Sequence, residues 1–352
     1  MSRRYEYNRK RIGTIACLPQ SIYYLTQFGS FLFASWYFTV EHAYESALLG
    51  TSQNTINPID LLIFCEGKSC SFLPKQCIEF DGNSSGRPPT CYYFPIATFK
   101  AQYPYLNSYC FLSHKDILSL PKYYTYLMRT DMDVFLTPAL LKWTPRFKIV
   151  TGMGGYSDKF NQKRLVEMAH RYNLRHQRVH NLGSTWFGDA SLLLQVSNLS
   201  LYLSKRIYET EFDAKRFPEI ATFMNHSPKG KWTEWWRPVS TMYGQELALN
   251  HLVDNINNSY IGSRMFDIPS CGSINALQQP HIHTWHMLCE FNKFTFLNAV
   301  AKKLKQGQYP LVPPAFEGDR MAACLSVRQY CTYIAWNSLV RHSDWANSLR
   351  NF

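Results

Sequence analysis

Apolar residues fall along this chain in short unbroken runs separated by amphipathic stretches, the alternation expected of an α/β protein. "RIGTIACLP" (Arg11 to Pro19) reads as a first strand closed by its proline, and "NPIDLLIFCEG" carries a second from Pro58 to Cys65. Between them Ile22, Leu25, Leu32, Phe33, Trp36 and Val40 recur as one stripe of a helix. "CYYFPIATF" and "LNSYCFLS" are shorter apolar segments, and Tyr123 to Met128 reads as a further buried strand. "FKIVTGMGGY" runs from a strand into a glycine-rich turn, and "NQKRLVEMAHRYN" predicts a helix. "NLGSTWFGDASLLLQVSNLSLYL" begins as a glycine-bearing strand or turn and becomes helical near Ala190. "WTEWWRPVSTMYGQELALNHLVD" passes from an aromatic loop into a helix starting about Gly244. After the proline-rich "YPLVPPAFEGD", an apolar helix from Arg320 to Leu339 closes the chain. The pattern predicts a mostly parallel sheet covered by helices. It divides the chain into a basic arm at residues 1–10, a main α/β domain at 11–308, and a C-terminal helical extension at 309–352 packed on that domain.

Composition narrows the class. At 352 residues, with 46% hydrophobic and only 18% charged positions, the chain is globular. Its 23 Tyr, 23 Phe and 9 Trp suit a large core and also ring surfaces for sugars or bases. A net charge of +12 favours anionic partners. The basic cluster "RRYEYNRKR" (Arg3 to Arg11) reads as a solvated arm able to touch membrane phosphate, but no nucleic-acid module stands behind it. No C-x-x-C spacing marks a metal framework among the ten cysteines. The density of Cys65, Cys70, Cys77, Cys91 and Cys110 suggests disulfides and an oxidising compartment, with free core thiols the alternative. Asn83, Asn198, Asn225 and Asn257 lie in N-x-S sequons, which add little by themselves. Ile22 to Val40 is the one membrane candidate. Its Gln, Gly, Ser and Thr positions make it a core helix before a signal anchor. A secretory-pathway lumen, such as the Golgi, is favoured over the cytoplasm.

The chemistry concentrates in a few places. Asp131 and Asp133 form the chain's one Asp-x-Asp, at the end of a predicted strand where ligands of parallel sheets gather. Such a pair of hard oxygens suits Mn²⁺ or Mg²⁺, which can hold a diphosphate; a loop carboxylate beside a helix cap is the plain alternative. In "NLGSTWFGD", Gly183 permits a tight turn or close backbone approach to a ligand, and Trp186 with Phe187 could form a stacking wall. Glu246 is expected in the first turn of its helix, free to enter a cleft or simply capping the dipole. "PHIHTWH" holds His281, His283 and His286. The i, i+3 spacing of His283 and His286 would align them on a helical turn as metal ligands. Lys293 would oppose phosphate charge.

Taken in order, these segments resemble the GT-A superfamily of nucleotide-sugar-dependent glycosyltransferases. "TIACLP", "SFLFASW" and "IDLLIFC" look like its nucleotide-binding half, and "YLMRTDMDVFLTP" like its D-x-D strand. "YGQELALN" is similar to the helix of the blood-group and α-galactosyl transferases that carries D-E-x-x-L-N, with Gln245 in place of the Asp. The resemblance implies a GT-A-like fold and a nucleotide diphosphate sugar donor, a uridine diphosphate sugar by default. The acceptor would be a glycan, glycoprotein or glycolipid. It implies donor binding by Arg129, Asp131, Asp133 and Lys293, and metal ligation by Asp131, Asp133, His283 and His286. Asn181, Gly183, Trp186, Trp235 and Trp236 would face the acceptor. Glu246 would be the catalytic carboxylate, with stereochemistry left open. Competing readings are a non-enzymatic basic protein that binds nucleic acid or membrane phosphate, and an inactive GT-A fold serving as a glycan-binding module.

Overall fold

The computed structural model describes residues 10–48, 57–84, 87–97, 103–225, 227–256, 264–286, 291–306 and 325–352. Its centre is a sheet whose strands read as apolar runs because both faces are covered. Every residue of β1 (Ile12–Leu18) and of β2 (Ile59–Glu66) is buried. β3 (Cys77–Glu79), β4 (Cys91–Ile96), β5 (Tyr126–Arg129), β7 (Ile149–Met153) and β8 (Leu182–Asp189) complete seven strands in the order β3-β4-β2-β1-β5-β8-β7. β8 alone runs against the rest. The α/β class with a mostly parallel sheet, expected from the sequence, is the one observed. β9 (Gly230–Lys231) and β10 (Trp235–Trp236) pair antiparallel as a separate ribbon, and a smaller sheet sits at the carboxyl end of β5. There β6 (Val134–Leu136) pairs antiparallel with β12 (His281–His283), which pairs in parallel with β11 (Ile268–Pro269).

Helices cover both faces. On one side the chain after β1 forms α1 (Ile22–Gln27), a π-helical segment (Phe28–Phe33) and α2 (Ala34–Leu48). On the other lie α3 (Lys159–Arg171), α4 (Ala190–Thr210) and, past the short α5 (Ala221–Met224), α6 (Ser240–Leu252). Asp158 caps α3 through the amides of Phe160 and Asn161, and Asp189 caps α4 through Leu192. α7 (Lys293–Gln306) and α8 (Val327–Arg341) join the first side. α8 is held there by Tyr330 Oη donating to Leu136 O at 2.7 Å and by Arg341 at 2.6 Å from Glu41. Trp345 packs directly on Gly29, where a Cβ would overlap its ring.

Among the described residues, the disulfides Cys17–Cys110, Cys65–Cys70 and Cys77–Cys91 fasten the cysteine-rich segment, Cys271 is also disulfide-bonded, and Cys331 is a buried thiol. No described helix is long and apolar enough to cross a membrane, and the Ile22 to Val40 run packs its stripe into the core from Leu25 onward, with Ile22 exposed. Residues 1–9 of the basic arm and the Asn257 sequon lie outside the described residues. Arg11, counted in that arm, is no solvated side chain. It is buried, with Nε 2.7 Å and Nη2 2.8 Å from the two oxygens of Asp60.

Candidate metal and substrate site

Asp131 and Asp133 stand just beyond the carboxyl end of β5, in the turn that leads to β6. Charge holds them there. Arg129 Nη2 lies 3.6 Å from Asp131 Oδ1. Its guanidinium is itself fixed between the rings of Tyr109 and Trp186 and donates to the Ser184 carbonyl. Asp133 has Lys293 Nζ at 2.5 Å and His283 Nε2 at 3.4 Å. Burial would push the Asp133 carboxyl up. The two cations outweigh it and hold the group far below the usual carboxylate range.

His283 arrives on β12, paired opposite Val134. The helical turn expected for His283 and His286 is therefore corrected: the segment is a strand. His283 reaches the acids, while His286 is exposed beyond the strand end with its ring edge-on to Phe294. Burial opposes a charge on His283, but Asp133 and Asp267 overcome it and raise its pKa to about 10. His281 is buried and different. Its Nδ1 accepts from Asp267 N at 3.2 Å, so its Nε2 donates to Thr130 Oγ1 at 2.9 Å. Desolvation pushes it down to about 4, and it stays neutral.

Asp267, which sequence reasoning missed, organises this corner. Fully buried, it accepts from Thr185 N at 3.1 Å and Thr185 Oγ1 at 2.7 Å, and faces His283 Nδ1 at 3.3 Å. Its room is made by Gly152 and Gly183 on neighbouring strands, where any Cβ would overlap the carboxylate. Gly183 is thus the second residue of β8, and the space a side chain would fill there is taken by Asp267. Asp131, Asp133 and His283 bring one ligand atom each to within 4.8 Å of one another.

Other expected site residues lie elsewhere. Trp186 is fully buried, as is Trp235, which is stacked between Phe212 and Tyr243. Neither ring has an exposed face, so both are core side chains in this structure. Trp236 is half-buried against Trp232. Asn181, at φ 56°, uses its side chain to receive the amides of Tyr156 and Ser157. Glu246 is also corrected. α6 begins at Ser240, so Glu246 is its seventh residue, on a helix buried on almost every side. Its carboxylate is fully buried. It receives Tyr156 Oη at 2.7 Å and Asn181 N at 3.0 Å, with His180 Nδ1 at 2.7 Å. Burial raises this carboxyl, but the histidines and Tyr156 win and keep it ionised below the usual range. No side of it is open to a sugar. The His-x-x-x-His spacing of "HQRVH" was the available signal for these two imidazole partners.

The acid pair with its histidine defines a candidate divalent-cation site at the end of a mostly parallel sheet. A family model described as "Domain of unknown function (DUF7164)" matches residues 6–348, and the chain belongs to that family. No curated protein matches. Among solved structures, the galactosyltransferase LgtC in complex with donor and acceptor sugar analogs is similar at 9% identity. The likeness covers 96% of this chain and 95% of that one, with a TM-score of 0.33. Likeness at that level carries nothing about activity.

Proposed function

We propose that this chain is a metal-dependent glycosyltransferase, moving a sugar from a nucleotide diphosphate sugar to a glycan, glycoprotein or glycolipid acceptor. The observation that supports the reading is the convergence of Asp131, Asp133 and His283 beyond the end of β5. Two carboxylate oxygens with one imidazole nitrogen suit Mn²⁺ or Mg²⁺. Asp267 behind His283 Nδ1 would orient the ring as a ligand, the usual arrangement around metal-bound histidines. When bound, the ion supplies Lewis-acid stabilisation of a departing diphosphate.

The chain's own residues do the rest. Lys293 and Arg129 place two further cations at the acid pair, positioned to meet phosphate oxygens. Tyr23 and Tyr24, in the first turn of α1, are 37% and 38% exposed. Burial raises the hydroxyl pKa of both, and the negative charge of Asp133 adds to it in each, so both lie within electrostatic reach of the acid pair. These rings offer the flat apolar surface for a base or sugar that the buried tryptophans do not. Glu246 is left out of the chemistry because its carboxylate is fully buried and engaged by Tyr156, His180 and Asn181.

The test is a panel of nucleotide sugars, uridine diphosphate donors first, with and without Mn²⁺, read by thermal shift and donor hydrolysis. A ligand that binds only the folded state raises Tm. Asp131→Asn and Asp133→Asn should each abolish the Mn²⁺-dependent shift. No shift with any donor, or an unchanged shift in both variants, would sink the reading.

A further inference from the structure

Glu246, His176 and His180 form a second group of potential ligands that the proposed chemistry does not use. We infer that it is a zinc site, in which His176 Nε2, His180 Nδ1 and Glu246 Oε1 staple the loop between α3 and β8 onto α6. The donor set is the first reason. Two imidazoles and one carboxylate, converging from two chain segments, form the nitrogen-rich tetrahedral set that Zn²⁺ prefers over Mg²⁺ or Ca²⁺.

The second reason is an orphaned atom. His176 Nε2 is buried, on a side chain only 2% exposed, and has no hydrogen-bond partner. It points at Glu246 Oε1 from 3.6 Å, beyond hydrogen-bond reach. That gap is close to the ligand–ligand edge of a zinc tetrahedron, about 3.3 Å for bonds of about 2.0–2.1 Å. His180 Nδ1, at 2.7 Å from the same oxygen, would have to open by roughly half an ångström. It is the side chain able to do so, being 16% exposed, and its side also admits water to a fourth position.

The surroundings are those of a held ligand. Glu246 Oε2 is occupied by the Tyr156 hydroxyl and the Asn181 amide, so the carboxylate is oriented and Oε1 is left facing the imidazoles. To ligate zinc, each imidazole shifts its one proton off the ligating nitrogen to the other, His180 from Nδ1 to Nε2 and His176 from Nε2 to Nδ1. His176 Nδ1, which now accepts from Arg178 N at 3.0 Å, then carries the imidazole proton. The Arg178 amide lies in an exposed part of the loop, where water takes its place. The loop is already drawn onto α6 by Gln177 N and Val179 N, both donating to Asn250 Oδ1. Through Asn181, the same staple fixes the entry to β8.

The experiment uses the full chain stripped with chelator, in an Asp131→Asn/Asp133→Asn background so that the first site is silent. Zn²⁺ alone is titrated by calorimetry and by thermal melting. The expected result is one tightly bound equivalent with a clear rise in Tm, both lost when His176→Gln and His180→Gln are added. Should that variant fail to fold, His180→Gln alone, at the partly exposed ligand, must weaken zinc binding and shrink the Tm rise. The inference is overturned if the background variant binds no zinc. It is equally overturned if the bound equivalent survives the histidine substitutions.

Discussion

Asp267→Asn probes the joint between packing and chemistry, because the side chain is buried and every neighbour is known. The carboxylate oxygens meet three donors: Thr185 N on Oδ2, and Thr185 Oγ1 with His283 Nδ1 on Oδ1. An amide has one oxygen. Placed at Oδ1, it keeps the hydroxyl and the imidazole but turns its NH₂ toward the Thr185 amide. Placed at Oδ2, it turns the NH₂ toward the His283 ring. Either way at least one buried donor loses its acceptor, at a cost of about 1–3 kcal/mol. The charge beside His283 is lost as well, bringing the total to roughly 2–4 kcal/mol. Melting should fall by several degrees, and Mn²⁺ affinity by about 10–100-fold, as for other carboxylates that orient a metal-bound histidine. Differential scanning calorimetry and Mn²⁺ titration on one preparation read both effects. A variant with the melting temperature and Mn²⁺ affinity of the wild type would show that Asp267 orients nothing.

Three shorter predictions follow from neighbouring features. Gly183→Ala should destabilise by at least about 1–3 kcal/mol, because the added methyl overlaps both the Asp267 carboxylate and the β7 backbone; an unchanged denaturation midpoint would contradict the socket. Tyr24→Ala should weaken nucleotide-sugar binding while leaving Tm nearly unchanged, since the ring is partly exposed; equal donor affinity would remove the stacking surface. His342 packs edge-on to Phe33 and Tyr37, and burial, then Arg341, lowers its pKa to about 4. Its folded pKa lies below the unfolded one, so the stability it contributes is present above pH ~6.5 and lost as pH falls toward ~4, on the order of 3 kcal/mol. His342→Phe should flatten that acid limb in a pH series of melts.

What the sequence made legible was whatever depends on a residue's near neighbours. β1 and β2 were readable because a strand buried on both faces is an unbroken apolar run, and the helix after β1 because its stripe repeats. The Asp pair was readable as a strand-end feature. The partners of those acids were not. Asp267 lies far along the chain from Asp131, in no motif, and matters only because two glycines on other strands leave room for it. The histidine spacing misled for a related reason: an i, i+3 pair looks helical until a tertiary partner, here β6, makes the segment a strand. Tryptophans misled because the sequence does not distinguish a ring that meets sugar from one that meets Phe212 and Tyr243. Glu246 sits on a helix buried nearly all round, and the apolar positions named from its pattern marked only part of that burial.

The charge arrangement around the acid pair has a consequence for the order of binding. Asp131 and Asp133 are already matched by two permanent cations, Arg129 at 3.6 Å and Lys293 at 2.5 Å. A divalent ion entering alone must compete with Lys293 for Asp133 in a mostly buried setting, where like charges are poorly screened. A diphosphate entering alone finds two cations but also two carboxylates. Together they resolve both conflicts: the phosphates draw Lys293 and Arg129 away from the acids, which then face the metal. Metal and donor should therefore bind with positive coupling, and linkage requires each to raise the other's affinity by the same factor, typically about 5–150-fold. Calorimetric titration of Mn²⁺ with and without uridine diphosphate, and of uridine diphosphate with and without Mn²⁺, measures that factor twice. In Lys293→Met the lysine's share of the competition for Asp133 is gone and only His283 contends with the ion, so Mn²⁺ alone should bind more tightly while the coupling shrinks. Equal Mn²⁺ affinity with and without the nucleotide would mean that the lysine and the ion never contend for the same carboxylate.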